Sequence, residues 1–228
     1  LIQLAKGAGE LRVHRAGRQW RDEHVGRTPA QLLGDLEGDG LGAFGVVRAD
    51  VDIEDGPALE LVGQLQAESV DLVVGAIDTD DGSATWSWEE MHELPQTELT
   101  VDIHCVTKWS KFDTTWHGVS IDDLLDAAGI ELSEPHVMAR CYTGYTTNLA
   151  SEDVLDGRAM VAHTFEGEPL DPEHGGPARL LVPHLYFWKS AKWVKGLRGL
   201  DADEPGFWEG YGYHNRGDPW LEQRYVGD

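Results

Sequence analysis

The sequence predicts an α+β domain in which sheet predominates, on three observations. Its apolar residues fall mainly in short runs of strand length. Its helices are brief and individually capped. Strands and helices do not alternate, and no glycine-rich turn joins a strand to a helix, which argues against a doubly wound dinucleotide-binding fold. No internal repeat is visible.

The elements follow in chain order. Residues 1–68 are rich in Gly, Asp, Glu, Arg and Ala and poor in aromatic residues. They predict an atypical N-terminal arm, poorly ordered or divergent, with a short helix around Pro29–Leu36 and a strand near Leu59–Leu65. Val70–Ala76 reads as a strand closed by the turn-forming run Asp78-Thr79-Asp80-Asp81-Gly82. Ser87 with Glu90 forms a capping box for a helix that runs to about Glu93, and Pro95 ends it. Leu99–Val106 alternates, with Leu99, Val101, Ile103 and Cys105 on one face. Ser120 with Asp123 opens a second helix, Ile121–Ala128, stopped at Gly129. Strands are expected at His136–Tyr142, Ala159–Phe165 and Arg179–Val182, and a short helix from Ser151. Leu185–Ser190 and Trp193–Leu197 read as an aromatic and basic region rather than as plain strand or helix.

Composition narrows the class of function. The chain has 228 residues, enough for a substantial core without disulfide staples. Hydrophobic residues at 41% and charged residues at 26% are the proportions of a globular protein. No run approaches the roughly 18 apolar residues of a membrane span. The 18 basic and 41 acidic residues give a net charge of −23, which argues against nucleic acid or anionic lipid as the main partner. Such a balance suits either a salt-adapted source or a merely acidic protein. Cys105 and Cys141 are the two cysteines, a sparse pair that fits a reducing, cytoplasmic compartment at least as well as a bridged one, with an exported or periplasmic protein as the alternative.

The densest chemistry is His104-Cys105-Val106-Thr107-Lys108-Trp109-Ser110-Lys111. Cys105 ends a strand where a polar, basic loop begins, and Lys108 and Lys111 favour a thiolate, which is a nucleophile or a soft metal ligand. A cysteine on an apolar strand face is most often a small buried hydrophobe, and a bridge to Cys141 is a further alternative. A nucleophilic cysteine would take its base from any of the ten scattered histidines. His104, Cys105, His117 and Cys141 supply zinc-binding atom types without zinc spacing.

A second constellation is His174-Gly175-Gly176-Pro177-Ala178-Arg179, followed by Lys189-Ser190-Ala191-Lys192-Trp193. Glycine turns with exposed amides bind anions, and Arg179, Lys189 and Lys192 add fixed positive charge. Five of the six lysines lie between Lys108 and Lys195, which suggests an anion site inside a negative field. An ordinary turn with solvated lysines accounts for the same residues.

Together these constellations resemble the molybdenum-cofactor domain of the sulfite oxidase superfamily, over about Val70 to Asp228. Trp88–Pro95, the strand through His104-Cys105, Trp116-His117-Gly118-Val119, Cys141–Asn148, His174–Arg179, Ser190–Trp193 and Gly212-Tyr213-His214-Asn215 to Tyr225 follow the order of the family's segments. The resemblance implies a molybdopterin-binding oxidoreductase domain at 69–228, of mostly mixed sheet with short helices. It implies a molybdenum-molybdopterin cofactor whose one protein ligand is Cys105, the catalytic and metal-binding residue. Thr143, His174 and Arg179 would contact the pterin and its phosphate, and Ser190, Ala191 and Lys192 would complete the cradle.

The run after the cysteine separates branches of the superfamily. Animal and plant sulfite oxidases have a Cys-Ala-Gly-Asn-Arg-Arg run, whereas here it is Cys-Val-Thr-Lys-Trp-Ser, similar to the catalytic subunit of a bacterial methionine-sulfoxide reductase. The resemblance therefore implies two-electron oxygen-atom transfer on a small S-oxide, N-oxide or sulfite-like substrate, with reduction of an S-oxide favoured. No immunoglobulin-like domain is expected after Tyr225 and no fused haem domain, so electrons would pass to or from a separate haem- or quinone-linked protein. A fold that has lost its cofactor and a cysteine-nucleophile enzyme are the rival readings.

Overall fold

A computed structural model describes residues 3–7, 10–15, 18–19 and 73–228. The chain divides into two compact units, residues 1–51 and 52–228. In the first, strands β1 (Gln3–Gly7), β2 (Glu10–Arg15) and β3 (Arg18–Gln19) pair antiparallel in sequence order. Sequence periodicity does not predict these strands. The helix expected at Pro29–Leu36 and the strand expected at Leu59–Leu65 lie outside the described residues.

The second unit is α+β, as expected, with a mixed-sheet core and short helices. Its first described strands form a hairpin, β4 (Val73–Thr79) and β5 (Gly82–Ser87), around the Asp80-Asp81 turn. Ser87 then caps helix α1 (Trp88–Glu93): its hydroxyl accepts from Glu90 N at 3.2 Å and the Glu90 carboxylate accepts from Ser87 N at 2.8 Å. A long hairpin follows, β6 (Thr97–Cys105) with β7 (Trp109–Ser120). Ser120 caps helix α2 (Ile121–Ala128), which buries Ile121, Leu124 and Leu125 and ends at Gly129 with φ +65°, where a glycine carries no Cβ penalty.

The remaining strands are β8 (His136–Cys141), β9 (Thr146–Ala150), β10 (Met160–Phe165), β11 (Glu168–Pro169), β12 (Arg179–Leu181) and β13 (Val194–Leu200). A final helical turn, α3, spans Phe207–Gly210. The helix expected from Ser151 is a single 3-10 turn, Ser151–Asp153. Trp193–Leu197, expected to be neither plain strand nor helix, mostly enters β13, so that expectation is corrected. Two glycines and two charged residues hide the strand from a periodicity argument, and its pairing between β4 and β8 makes it one.

Two five-stranded sheets result. One has the order β11-β10-β7-β6, with β12 also paired to β10; the other has the order β5-β4-β13-β8-β9. The β13–β4 pair is parallel, whereas the other strand pairs are antiparallel. The main core lies between the sheets. It joins Ile77 and Trp86, Val119, Val161 and Leu180, Val137, Leu149 and Leu197 with α2. A smaller cluster covers the other face of the first sheet, from Ile103, Trp116, Met160, Ala162, Leu170 and Leu181, with Leu99, Val101, Phe165 and Phe187 against it. β7 and β10 approach closely where their register shifts, and a Cβ at Gly118 would collide with the Val161 carbonyl.

A charged network is buried beside this frame. Lys189 was expected to add positive charge at the surface anion site, but its side chain and that of Glu209 are both 0% exposed, with Nζ 2.6 Å from Glu209 Oε1. Nζ also donates to Asn148 O at 2.7 Å, Asn148 Oδ1 at 3.0 Å and Asn215 O at 2.5 Å. Glu209 Oε1 accepts from Thr147 Oγ1 and Trp188 Nε1, each at 2.8 Å. Burial pulls the Lys189 ammonium down and the facing carboxylate opposes it.

Helix α1 docks through a histidine pair. His163 Nε2 meets Gln96 Oε1 at 2.8 Å and Nδ1 meets Thr164 Oγ1 at 2.9 Å, while its ring lies 4.6 Å from that of His92. Burial, with repulsion from His92 and His117, pushes His163 down to about 4.

Two predictions follow from this packing. His163 stays neutral in the fold while its unfolded counterpart protonates below about 6.5. Its contribution to stability is therefore complete above that pH and is lost as pH falls toward 4. Thermal unfolding should show a smaller loss of stability between pH 7 and pH 4.5 in His163→Gln than in the parent. Lys189→Met leaves a buried carboxylate unpaired and should cost about 3–5 kcal/mol in denaturant unfolding. Adding Glu209→Gln, which keeps an acceptor for Trp188 and Thr147, should recover part of that loss.

Candidate active site

Cys105 is the last residue of β6 and Trp109, its cross-strand partner, is the first of β7. The polar loop expected after the cysteine is therefore only Val106-Thr107-Lys108. Lys108 N donates to Cys105 O at 3.0 Å, and Lys108 takes φ +70°, the left-handed position that ends many three-residue hairpin loops. This tight turn leaves Cys105 partly exposed while Val106 is buried. Thr107 Oγ1 donates to Cys105 Sγ at 3.1 Å. Both cysteines are free thiols, so the alternative of a bridge between them is set aside.

The hairpin tip is held from behind. Residues 185–189 run alongside it, with a parallel bridge between His104 and Tyr186. His104 Nδ1 lies 2.7 Å from Ser110 Oγ, and its ring packs edge-on to Trp220 at 5.3 Å. Arg224 Nε donates to Val106 O at 3.3 Å, and its guanidinium lies 5.2 Å from the Tyr186 ring centre. Tyr213 is buried, and its phenol is raised chiefly by that burial, with a smaller electrostatic contribution from neighbouring Tyr225 and Cys105. Sequence reasoning assigned no role to Arg224 or Tyr213. Their only signal was their place in the terminal segment that resembles the family.

The second constellation assembles around Arg179. Nη1 donates to His174 O at 2.8 Å and Nη2 to Ser190 O at 2.7 Å, so the fork ties the glycine loop to the 190–192 segment. Backbone bonds continue that junction: Leu180 N donates to Ala191 O at 2.9 Å and Val182 N to Ser190 Oγ at 2.9 Å. Lys192 Nζ donates to Glu173 O at 2.8 Å. His174, Arg179, Ser190, Ala191 and Lys192 are thus brought together. Thr143 is exposed on the β8–β9 turn, whose Tyr142 N donates to Trp193 O at 3.1 Å, next to Lys192.

Register shows how the two constellations relate. Cys105 shares a face of β6 with Ile103, Val101 and Leu99, all in the outer cluster. Arg179 pairs with Ala162, another member, and its guanidinium lies 4.2 Å from the Phe187 ring centre and 5.7 Å from that of Trp116. Cys105 and Arg179 therefore look out from the same face of one sheet. Arg179 is 3% exposed and its Nε has no hydrogen-bond partner. Burial pulls the guanidinium below its ordinary range. Cys141 lies near Arg179, but burial pushes its thiol up to about 12, which makes it a packing residue rather than a nucleophile.

Among the described residues, no cluster of three or more His, Cys, Asp or Glu side chains could hold a metal ion. No described helix is long and apolar enough to cross a membrane.

Comparison with known proteins bears on this arrangement. An uncharacterised oxidoreductase of Bacillus subtilis, YuiH, is 46% identical over 142 residues, which are 62% of this chain and 72% of that protein. A putative protein-methionine-sulfoxide reductase subunit of Azospira oryzae, YedZ1, is 27% identical over 153 residues, 67% of this chain and 57% of its own. In fold, the chain is similar to the sulfane dehydrogenase SoxCD from Paracoccus pantotrophus, with TM-score 0.50 and 18% identity, over 81% of this chain and 56% of that one. This chain thus spans little more than half of the last two proteins. Residues 61–208 match the oxidoreductase molybdopterin binding domain, and the chain belongs to that family.

Proposed function

We propose that this chain binds a molybdenum-molybdopterin cofactor with Cys105 as the protein ligand to the metal, and works as an oxygen-atom-transfer oxidoreductase. The observation that carries this reading is the placement of a partly exposed thiol and a buried arginine on one sheet face.

The residues fit the group. Cys105 offers one soft sulfur at a rigid hairpin tip, which suits a metal whose other ligands come from a dithiolene. The unpartnered Nε–H of Arg179 is a buried donor that a phosphate oxygen would satisfy. The cofactor, when bound, would supply two-electron redox chemistry. The protein's part is to hold and orient it. Ser190 and Ala191 present backbone at the Arg179 junction, Lys192 adds a point charge, and His174 and Thr143 stand on exposed turns at the edge of the cradle.

The substrate class we favour is a small S-oxide, with N-oxides and sulfite-like oxyanions after it. In the run after Cys105, Trp109 and Ser110 stand where the sulfite oxidase run has its two arginines, and Lys108, exposed on the turn beside them, only partly replaces that charge. The printed name of the Azospira relative points the same way. A separate haem- or quinone-linked protein would exchange electrons with the site.

The test is metal analysis of protein made in a molybdopterin-competent host. We expect near-stoichiometric molybdenum and S-oxide reduction with an artificial electron donor. Cys105→Ser should abolish turnover with an unchanged unfolding midpoint. A folded parent protein without molybdenum, or full activity in Cys105→Ser, would overturn the proposal.

A further inference from the structure

We infer that the Thr107 hydroxyl sets the reduction potential of the metal held by Cys105, as a positioning residue acting through the sulfur. This rests on the reading of Cys105 as the metal ligand.

The geometry is local and enforced. Thr107 sits two residues after Cys105 in a three-residue loop, so the turn that exposes the thiol also aims the hydroxyl at it, 3.1 Å from Sγ. The turn has little freedom to relax. Lys108 N closes it on Cys105 O, Lys108 holds the left-handed position, and Val106 is buried with its carbonyl capped by Arg224. β-Branching restricts the Thr107 side chain to few rotamers, so the donor is pre-organised rather than recruited.

A hydroxyl that donates to a metal-bound thiolate draws electron density from the sulfur. The sulfur then donates less charge to the metal, which favours its reduced state and raises the potential. From its own loop, the side-chain donor that reaches Cys105 Sγ is the neutral Thr107 hydroxyl, whereas Lys108 is exposed. A neutral donor gives a modest bias. It is worth roughly a two- to tenfold change in the ratio of oxidised to reduced metal at a fixed potential.

The test is a redox titration of the molybdenum-loaded protein, followed by electron paramagnetic resonance of the one-electron-reduced metal. Thr107→Val keeps the shape and removes the donor, whereas Thr107→Ser keeps the donor. Thr107→Val should retain its molybdenum, shift the midpoint to lower potential and change the resonance parameters. Thr107→Ser should restore the parent's values. A molybdenum-loaded Thr107→Val with the parent's midpoint and spectrum overturns this inference alone. A parent protein without molybdenum overturns the Cys105 reading and this inference with it.

Discussion

A lysine ammonium removed from water demands a full set of acceptors, and much of this domain is arranged around meeting that demand for Lys189. Its acceptors come from β9, from α3 and from the loop after it, at Asn148, Glu209 and Asn215. Because Lys189 is pinned, the residues on either side are pinned too. Ser190 accepts from Arg179 through its carbonyl and Val182 N through its hydroxyl, and Phe187 lies under the Arg179 guanidinium. Tyr186 bridges to His104, one residue before the candidate metal ligand. One buried ion pair thus fixes a short segment that touches both halves of the site.

Arg179, also buried, repeats the principle. A guanidinium has five N–H donors in a fixed plane, and here two of its nitrogens serve backbone carbonyls on separate loops. Aromatic rings cover its face and keep water away. The Nε–H, the one nitrogen of the group with no partner, is buried on a rigid group, a constraint that a bound anion would relieve. A phosphate bound there, as proposed, would be held by shape and hydrogen bonding within a protein whose overall charge is −23.

Membership of a molybdopterin-binding family gives this geometry its context. A metal that brings most of its ligands with its cofactor asks little of the protein in direct coordination. It asks for one soft donor at a defined angle and a dry cradle for the rest. In the proposed reading a hairpin tip would provide the first, since its conformation is closed by its own turn hydrogen bond. The outer apolar cluster of the sheet would provide a floor for the second.

Local signals in the sequence settled the elements that depend on neighbours in the chain. The caps at Ser87 and Ser120, the stop at Gly129 and the alternation of Leu99 to Cys105 are each satisfied within a few residues, and all are found in the fold. Cys105 and Arg179 stand out in the sequence by residue type and by their places beside polar turns, while the roles proposed for them come from the resemblance. Partners distant in the chain decided the rest. β7 begins with five exposed residues, so no alternation marks it, and its ladders to β6 and β10 make it a strand. Lys189 looked like surface charge because Glu209 lies twenty residues away. Likewise, that Cys105 and Arg179 face the same way follows from strand register across β6, β7, β10 and β12, a property of the sheet that no single segment encodes.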